Sequence, residues 1–177
     1  MRKTFSTAAM LCATLTCVAA GRASDLPDPT LSPGLARDDL SLAQICATAW
    51  GKDVRLVSAA MKKHVMEEYH MTPASCPSGK VEIDHVISRQ LGGADDLRNL
   101  FPQCYEAPVS GKKPSEVAEF GAHKKDRLED DYGKRICLPA SDPMHMTLEQ
   151  ARTALSTNWV AAYIERYGDP RAQATAH

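Results

Sequence analysis

The spacing of hydrophobic and polar positions changes several times along this chain, and each change marks an expected element. An apolar run without charge extends from Ala8 to Ala20 behind Arg2 and Lys3. It is too short for a comfortable membrane span and has the layout of a secretory leader over residues 1–23, with cleavage expected before Ser24 and Ala19 or Ala20 as earlier alternatives. Residues 24–40 carry Pro27, Pro29, Pro33 and Gly34, which predicts an extended arm lying on the domain or loosely attached. Between Leu40 and Trp50 nearly every other position is apolar, and a packed, partly irregular segment is expected. From Ser58 to Tyr69 the period becomes helical: Ser58 can cap, Met61, Val65 and Met66 share a face, and Lys63 can pair with Glu67 one turn on.

Val81 to Ile87 is rich in β-branched residues and predicts a strand. Gly92-Gly93 supplies a sharp turn, Asp95 to Arg98 a short helical or looped crossing, and Asn99 to Phe101 a return strand closed by Pro102. Residues 102–121 read as a surface loop with room for a helical turn in Ser115 to Phe120. A helix follows over Ala122 to Arg135, with Lys125 and Glu129 one turn apart. The last helix starts at a capping box, Thr147 with Gln150. Its buried face is Leu148, Ala151, Leu155, Trp159, Ala162 and Tyr163, running on to Tyr167 before Gly168-Asp-Pro170 stops it. The expected fold class is α+β: one domain over 41–177, a hairpin-plus-helix core at about 80–136, and flanking N- and C-terminal helices.

Charge narrows the partners. Of 21 basic side chains, Arg2, Lys3 and Arg22 lie in the expected leader, leaving 18 against 22 acidic ones. A mildly acidic chain can hold nucleic acid only through a local cluster of cations. The four cysteines beyond the leader, Cys46, Cys76, Cys104 and Cys137, are even in number and lack the spacing of a zinc knuckle. In an exported chain, secreted or periplasmic, they point to two disulfides. Three pairings are open; Cys76 with Cys104, which flank the hairpin, and Cys46 with Cys137 are preferred.

The segment Glu82 to Phe101, joined to Ala122 through Glu129, can supply the parts of a phosphodiester hydrolase: an activated water, a cation for the phosphoryl oxygens, and help for the leaving oxygen. His85 is the expected general base, since an imidazole of ordinary pKa is largely neutral near pH 7. Asp84 is the expected ligand to one divalent ion and His123 the second. Asn99 would brace the loop so that His85 keeps one orientation. Lys112, Lys113, Lys124, Lys125 and Arg127 are the candidate nucleic-acid contacts, with the first turn of the helix favouring an incoming phosphate. Oxygen and nitrogen donors fit magnesium or manganese best, with zinc or nickel as alternatives.

Asp84-His85, Asn99 fourteen residues after that histidine, and His123 opening a helix resemble the signature of the HNH endonucleases, the ββα-metal or His-Me finger family. The run from Asp84 to Gln103 is similar to a group of exported bacterial HNH-like proteins, as are Ala122 to Glu129 and Trp159 to Tyr163. The resemblance implies a ββα-metal core, with Asp84 on the metal, His85 as base and Asn99 in support. It also implies a metal-dependent endonuclease, with DNA the expected substrate ahead of RNA. This chain departs from the pattern by lacking zinc knuckles and by a long loop before His123. An inactive metal- or nucleic-acid-binding relative and a disulfide-stabilised envelope interaction protein are the rival readings.

Overall fold

A computed structural model describes residues 25–49 and 52–174. The expected leader over residues 1–23 lies outside them. In chain order the helices are α1 (Leu42–Ala47), α2 (Ala59–Glu68), α3 (Ala122–Arg135), α4 (Leu148–Tyr167) and α5 (Pro170–Ala174). Two strands, β1 (Val81–His85) and β2 (Leu100–Cys104), stand between α2 and α3 and pair antiparallel, from Val81 opposite Cys104 to His85 opposite Leu100. The molecule is mixed α+β, a two-stranded hairpin among helices.

Apolar burial explains the layout. Leu128 and Tyr132 of α3, with Ile136 just beyond its end, meet Leu155, Trp159 and Tyr163 of α4, and Ile87 and Leu91 from the hairpin connection join the same core. Phe120 completes it, edge-on to Trp159 and Tyr163 with ring centroids 5.8 Å apart in each case. A smaller cluster of Val65, Ile83 and Leu100 fixes α2 against the hairpin. The arm expected over 24–40 is fastened along its length. Gly34 donates to the Arg98 carbonyl at 3.0 Å, Arg37 to that of Gly92 at 2.8 Å, and the Trp159 indole reaches the Asp25 carbonyl at 2.6 Å.

Both preferred disulfides are present. Cys76–Cys104 closes the base of the hairpin, and Cys46–Cys137 ties α1 to the end of α3. With a sequence separation of 91 residues, the second restricts the unfolded chain by about 4–5 kcal/mol on the loop-entropy account.

Three local features differ from expectation. The segment around Cys46 contains a capped helix: Ser41 accepts from Gln44 N while the Gln44 side-chain oxygen accepts from Ser41 N, so a capping box organises α1. Pro102 lies within β2, opposite Ile83, rather than closing it. A two-stranded ladder leaves one edge of each strand unpaired, so a missing N–H there breaks nothing. The long helix α4 is interrupted at Asn158, whose φ of −164° is extended. Its side-chain oxygen accepts from Ala161 N at 2.8 Å and caps the restart.

Candidate active site

Asp84 and His85 are the last two residues of β1, paired with Phe101 and Leu100, and the side chains keep the strand's alternation, His85 buried and Asp84 half-buried. The chain then turns tightly through Ile87 to Gly93. A Cβ on Gly93 would stand 1.8 Å from the Ile87 carbonyl oxygen, so no other residue fits this approach. Asn99 clamps the turn from inside. Its side-chain oxygen accepts from Ile87 N at 2.9 Å and Leu35 N at 3.1 Å, and its amide donates to the carbonyls of Ile87 at 3.0 Å and Ala94 at 2.9 Å. Every hydrogen-bonding capacity of that fully buried side chain is used, which is how a loop is held to one shape.

The clamp sets Asp95 beside His85, with Nε2 and Oδ1 2.7 Å apart. Burial pushes the His85 pKa down, opposed by the Asp95 hydrogen bond and the charge of Asp84. The imidazole is therefore biased toward its neutral form, and a proton on Nε2 shared with Asp95 leaves the Nδ1 lone pair as the basic position. Asp95 is itself anchored by Leu56 N at 2.6 Å.

Asp84 faces α3. Its Oδ2 lies 2.7 Å from the Lys125 ammonium, which also donates to the His85 carbonyl at 2.7 Å and to Glu129. Lys125 is wholly buried. Burial alone would lower its pKa, yet the Asp84 and Glu129 carboxylates together raise it, so the ammonium stays charged. Glu129 is displaced upward, chiefly by burial and against the pull of Lys125. Two more carboxyls lie in the same field. Although Asp126 is exposed as a residue, the packing around its carboxyl, then the charge of Asp84, push it up to about 6. Burial, then Asp84, push Glu82 up to about 7 while the Tyr105 hydroxyl donates to it. Asp84, His85, Asp126 and Glu129 line one cleft of about 840 Å³.

Among the described residues, no three His, Cys, Asp or Glu side chains gather into a ready metal cage. Asp84 and Asp126 nevertheless suit a hard divalent ion, because magnesium and manganese commonly take one or two carboxylates and fill the remaining positions with water. The mutual repulsion that raises Asp126 is the interaction such a cation would relieve.

The other sequence candidates are distributed differently. His123 turns its Nδ1 to Glu106 at 2.7 Å and packs beside the Tyr105 ring. It borders an adjoining recess with Arg127 rather than the cleft of Asp84 and His85, and Asp126, Asp130 and Lys134 are common to both. Arg127 stacks over Tyr167, 4.0 Å from its ring centroid. Lys124 and Lys125 are not surface cations. The Lys124 amine is buried on the Pro114 carbonyl at 3.2 Å, and Lys125 is the internal cation described above. The start of α3 does not present free amides to a phosphate either, because the buried Glu106 carboxylate accepts from His123 N and Lys124 N at 3.4 and 3.2 Å. Lys112 and Lys113 are exposed and lie outside the cleft.

Sequence reading missed Asp95, Asp126 and the cleft arginines Arg37, Arg55 and Arg89. Asp126 carried a usable signal, since Asp126 and Glu129 are three apart on a helix and share a face with Lys125 one step away. Arg37 and Arg55 carried none, because they reach the cleft only through tertiary folding. No family model, curated protein or solved structure matches this chain.

Proposed function

We propose that this protein is an exported, metal-dependent endonuclease of the HNH type. It would hydrolyse phosphodiester bonds of DNA with little sequence preference, on a ββα-metal core made of β1, β2 and α3. The observation that carries the proposal is the buried His85–Asp95 pair, with Nε2 2.7 Å from Oδ1, at the end of a strand whose preceding residue, Asp84, faces the same cleft. A neutral imidazole whose far nitrogen is tied to a carboxylate is an oriented general base.

In the reaction, Nδ1 of His85 takes a proton from water as the water oxygen attacks phosphorus. The proton on Nε2 stays with the Asp95 contact, which stabilises the imidazolium that forms. The bond from phosphorus to the leaving oxygen breaks, and that oxygen is reprotonated from solvent. Asn99 keeps the loop from Val86 to Asp95 in place through these steps, and Lys125 holds one oxygen of Asp84 so that the other is directed to the cleft. Asp84 and Asp126 would hold the ion, with His123 contributing from the adjoining recess. When bound, a divalent cation supplies charge neutralisation at the phosphoryl oxygens.

One contact favours the non-catalytic reading: Lys125 already satisfies Asp84 Oδ2. Plasmid nicking by the oxidised protein separates the two. Conversion of supercoiled to nicked DNA in magnesium or manganese, abolished by EDTA, is the expected result. Retained DNA binding with no cleavage in magnesium, manganese, zinc or nickel would move the assignment to a binding protein.

A further inference from the structure

The cleft that holds Asp84 and His85 is lined unevenly in charge. From α3 come Asp126, Glu129 and Asp130, with Lys134 the one cation of that helix among its lining residues; Arg37, Arg55 and Arg89 come from other segments, with Asp53 beside Arg89. A polyanion cannot lie along carboxylates alone, so the arginines decide whether a phosphate chain can enter. The lysines prominent in the sequence do not furnish that charge, since Lys124 and Lys125 are buried and Lys112 and Lys113 lie elsewhere.

Arg55 is the best placed of the three. Its charge acts on His85, helping to push that imidazole down. The segment that carries it is fastened on three sides. Arg55 donates to the Ile83 carbonyl in β1, Leu56 N donates to Asp95 at 2.6 Å, and Arg89 donates to the Asp53 carbonyl at 2.5 Å. A lip so fixed still exposes Val54 at 75% and Leu56 at 70%, the most open large hydrophobic side chains among the described residues. Arg89 is partly neutralised by Asp53, with Nη2 2.6 Å from Oδ2. Neither Arg37 nor Arg55 has a carboxylate partner among the described residues, so the charge of both is available to a ligand.

We infer that Arg37 and Arg55 grip the phosphate backbone of the nucleic acid on the two sides of the scissile bond, with the lip at Val54 and Leu56 against sugar and base. The inference rests on the nuclease reading and adds the substrate-holding residues. Guanidinium contacts to phosphate fix register without reading bases, which accounts for cleavage with little sequence preference. Arg89, held by Asp53, is a fixed lining residue of the same cleft.

The test is fluorescence anisotropy of a labelled DNA duplex with the oxidised His85→Ala protein in EDTA, so that binding is read without turnover. Arg37→Gln with Arg55→Gln is expected to weaken binding roughly tenfold and to reduce the slope of log K against log salt by about 1 to 2, near 0.9 for each phosphate no longer neutralised. Arg37→Lys with Arg55→Lys should keep most of the slope, and the single exposed change Arg37→Gln covers the case in which the pair disturbs folding. Lys112→Gln with Lys113→Gln should change affinity less than about twofold. Unchanged affinity and slope in the arginine variants would overturn the inference while leaving the nuclease reading standing. No binding by the parent protein at any salt concentration would overturn the inference, and would overturn the nuclease reading as well if the wild-type protein also fails to nick plasmid in magnesium or manganese.

Discussion

Replacing Lys125 with methionine removes an ammonium that is wholly buried among the Asp84 and Glu129 carboxylates and the His85 carbonyl. Methionine is close in volume, so the change isolates charge and hydrogen bonding from packing. It leaves buried acceptors with no donor, and breaking one side of a buried ion pair costs about 3–5 kcal/mol. That is a large part of the roughly 5–15 kcal/mol by which a domain is ordinarily stable, and it corresponds to a fall in Tm of about 6–20 °C for a chain of this size. The pH dependence adds a sign. Glu129 already has its folded pKa raised by burial, and removal of Lys125 raises it further. A carboxyl with a raised folded pKa destabilises the fold above its unfolded pKa, and the penalty disappears as pH falls toward about 4.5 and the group protonates in both states. The deficit of Lys125→Met, measured by urea unfolding of the oxidised protein, should therefore be largest near pH 8 and shrink toward pH 5. A loss under about 1 kcal/mol, or a deficit that grows at low pH, would refute this account of the Asp84–Lys125–Glu129 group.

Asn99→Ala removes four hydrogen bonds from a fully buried side chain, and should cost about 2–4 kcal/mol in urea unfolding. Cleavage should fall further than stability accounts for, because the loop bearing Asp95 loosens. The acid limb of kcat/KM should report His85. Its folded pKa lies below the usual value, so activity should be lost only as pH falls below about 6.5. In Asp95→Asn the hydrogen bond and charge that hold the imidazole up are weakened, so a pH–rate profile should show the limb at still lower pH and a lower plateau from the weaker base.

The parts of the fold legible in the sequence were those set by local signals. Thr147 with Gln150 marked the start of α4, and β-branched residues with the Gly92-Gly93 turn marked the hairpin. The strand expected over Val81 to Ile87 stops two residues earlier, at His85, where the chain enters the tight turn held by Asn99. The Ser41–Gln44 capping box escaped because the apolar alternation around it carried the opposite message. Pro102 was read as a strand stop, and only the two-stranded ladder explains its tolerance within β2.

For the candidate site, the backbone-bracing role expected of Asn99 rested on its spacing from His85 and on what the HNH resemblance implies, and its amide does bond backbone groups on both sides of the turn. Lys124 and Lys125 were read as surface charge because composition cannot say which lysines are internal. Their burial follows from Glu106 arriving from the preceding loop and from the packing of α3 onto Asp84. Asp95 lies ten residues after His85 and meets it only because the Asn99 clamp folds the connection back, while Arg55 comes from a separate segment, so no regular helix or strand spacing could supply either.

The central claim is that His85 takes the proton from the attacking water, and single-turnover cleavage of a DNA duplex in magnesium or manganese tests it most directly. His85→Ala is expected to slow the chemical step by about 10²–10⁴ while DNA affinity stays unchanged. Cleavage at the parent rate by a folded, disulfide-complete His85→Ala protein would contradict it.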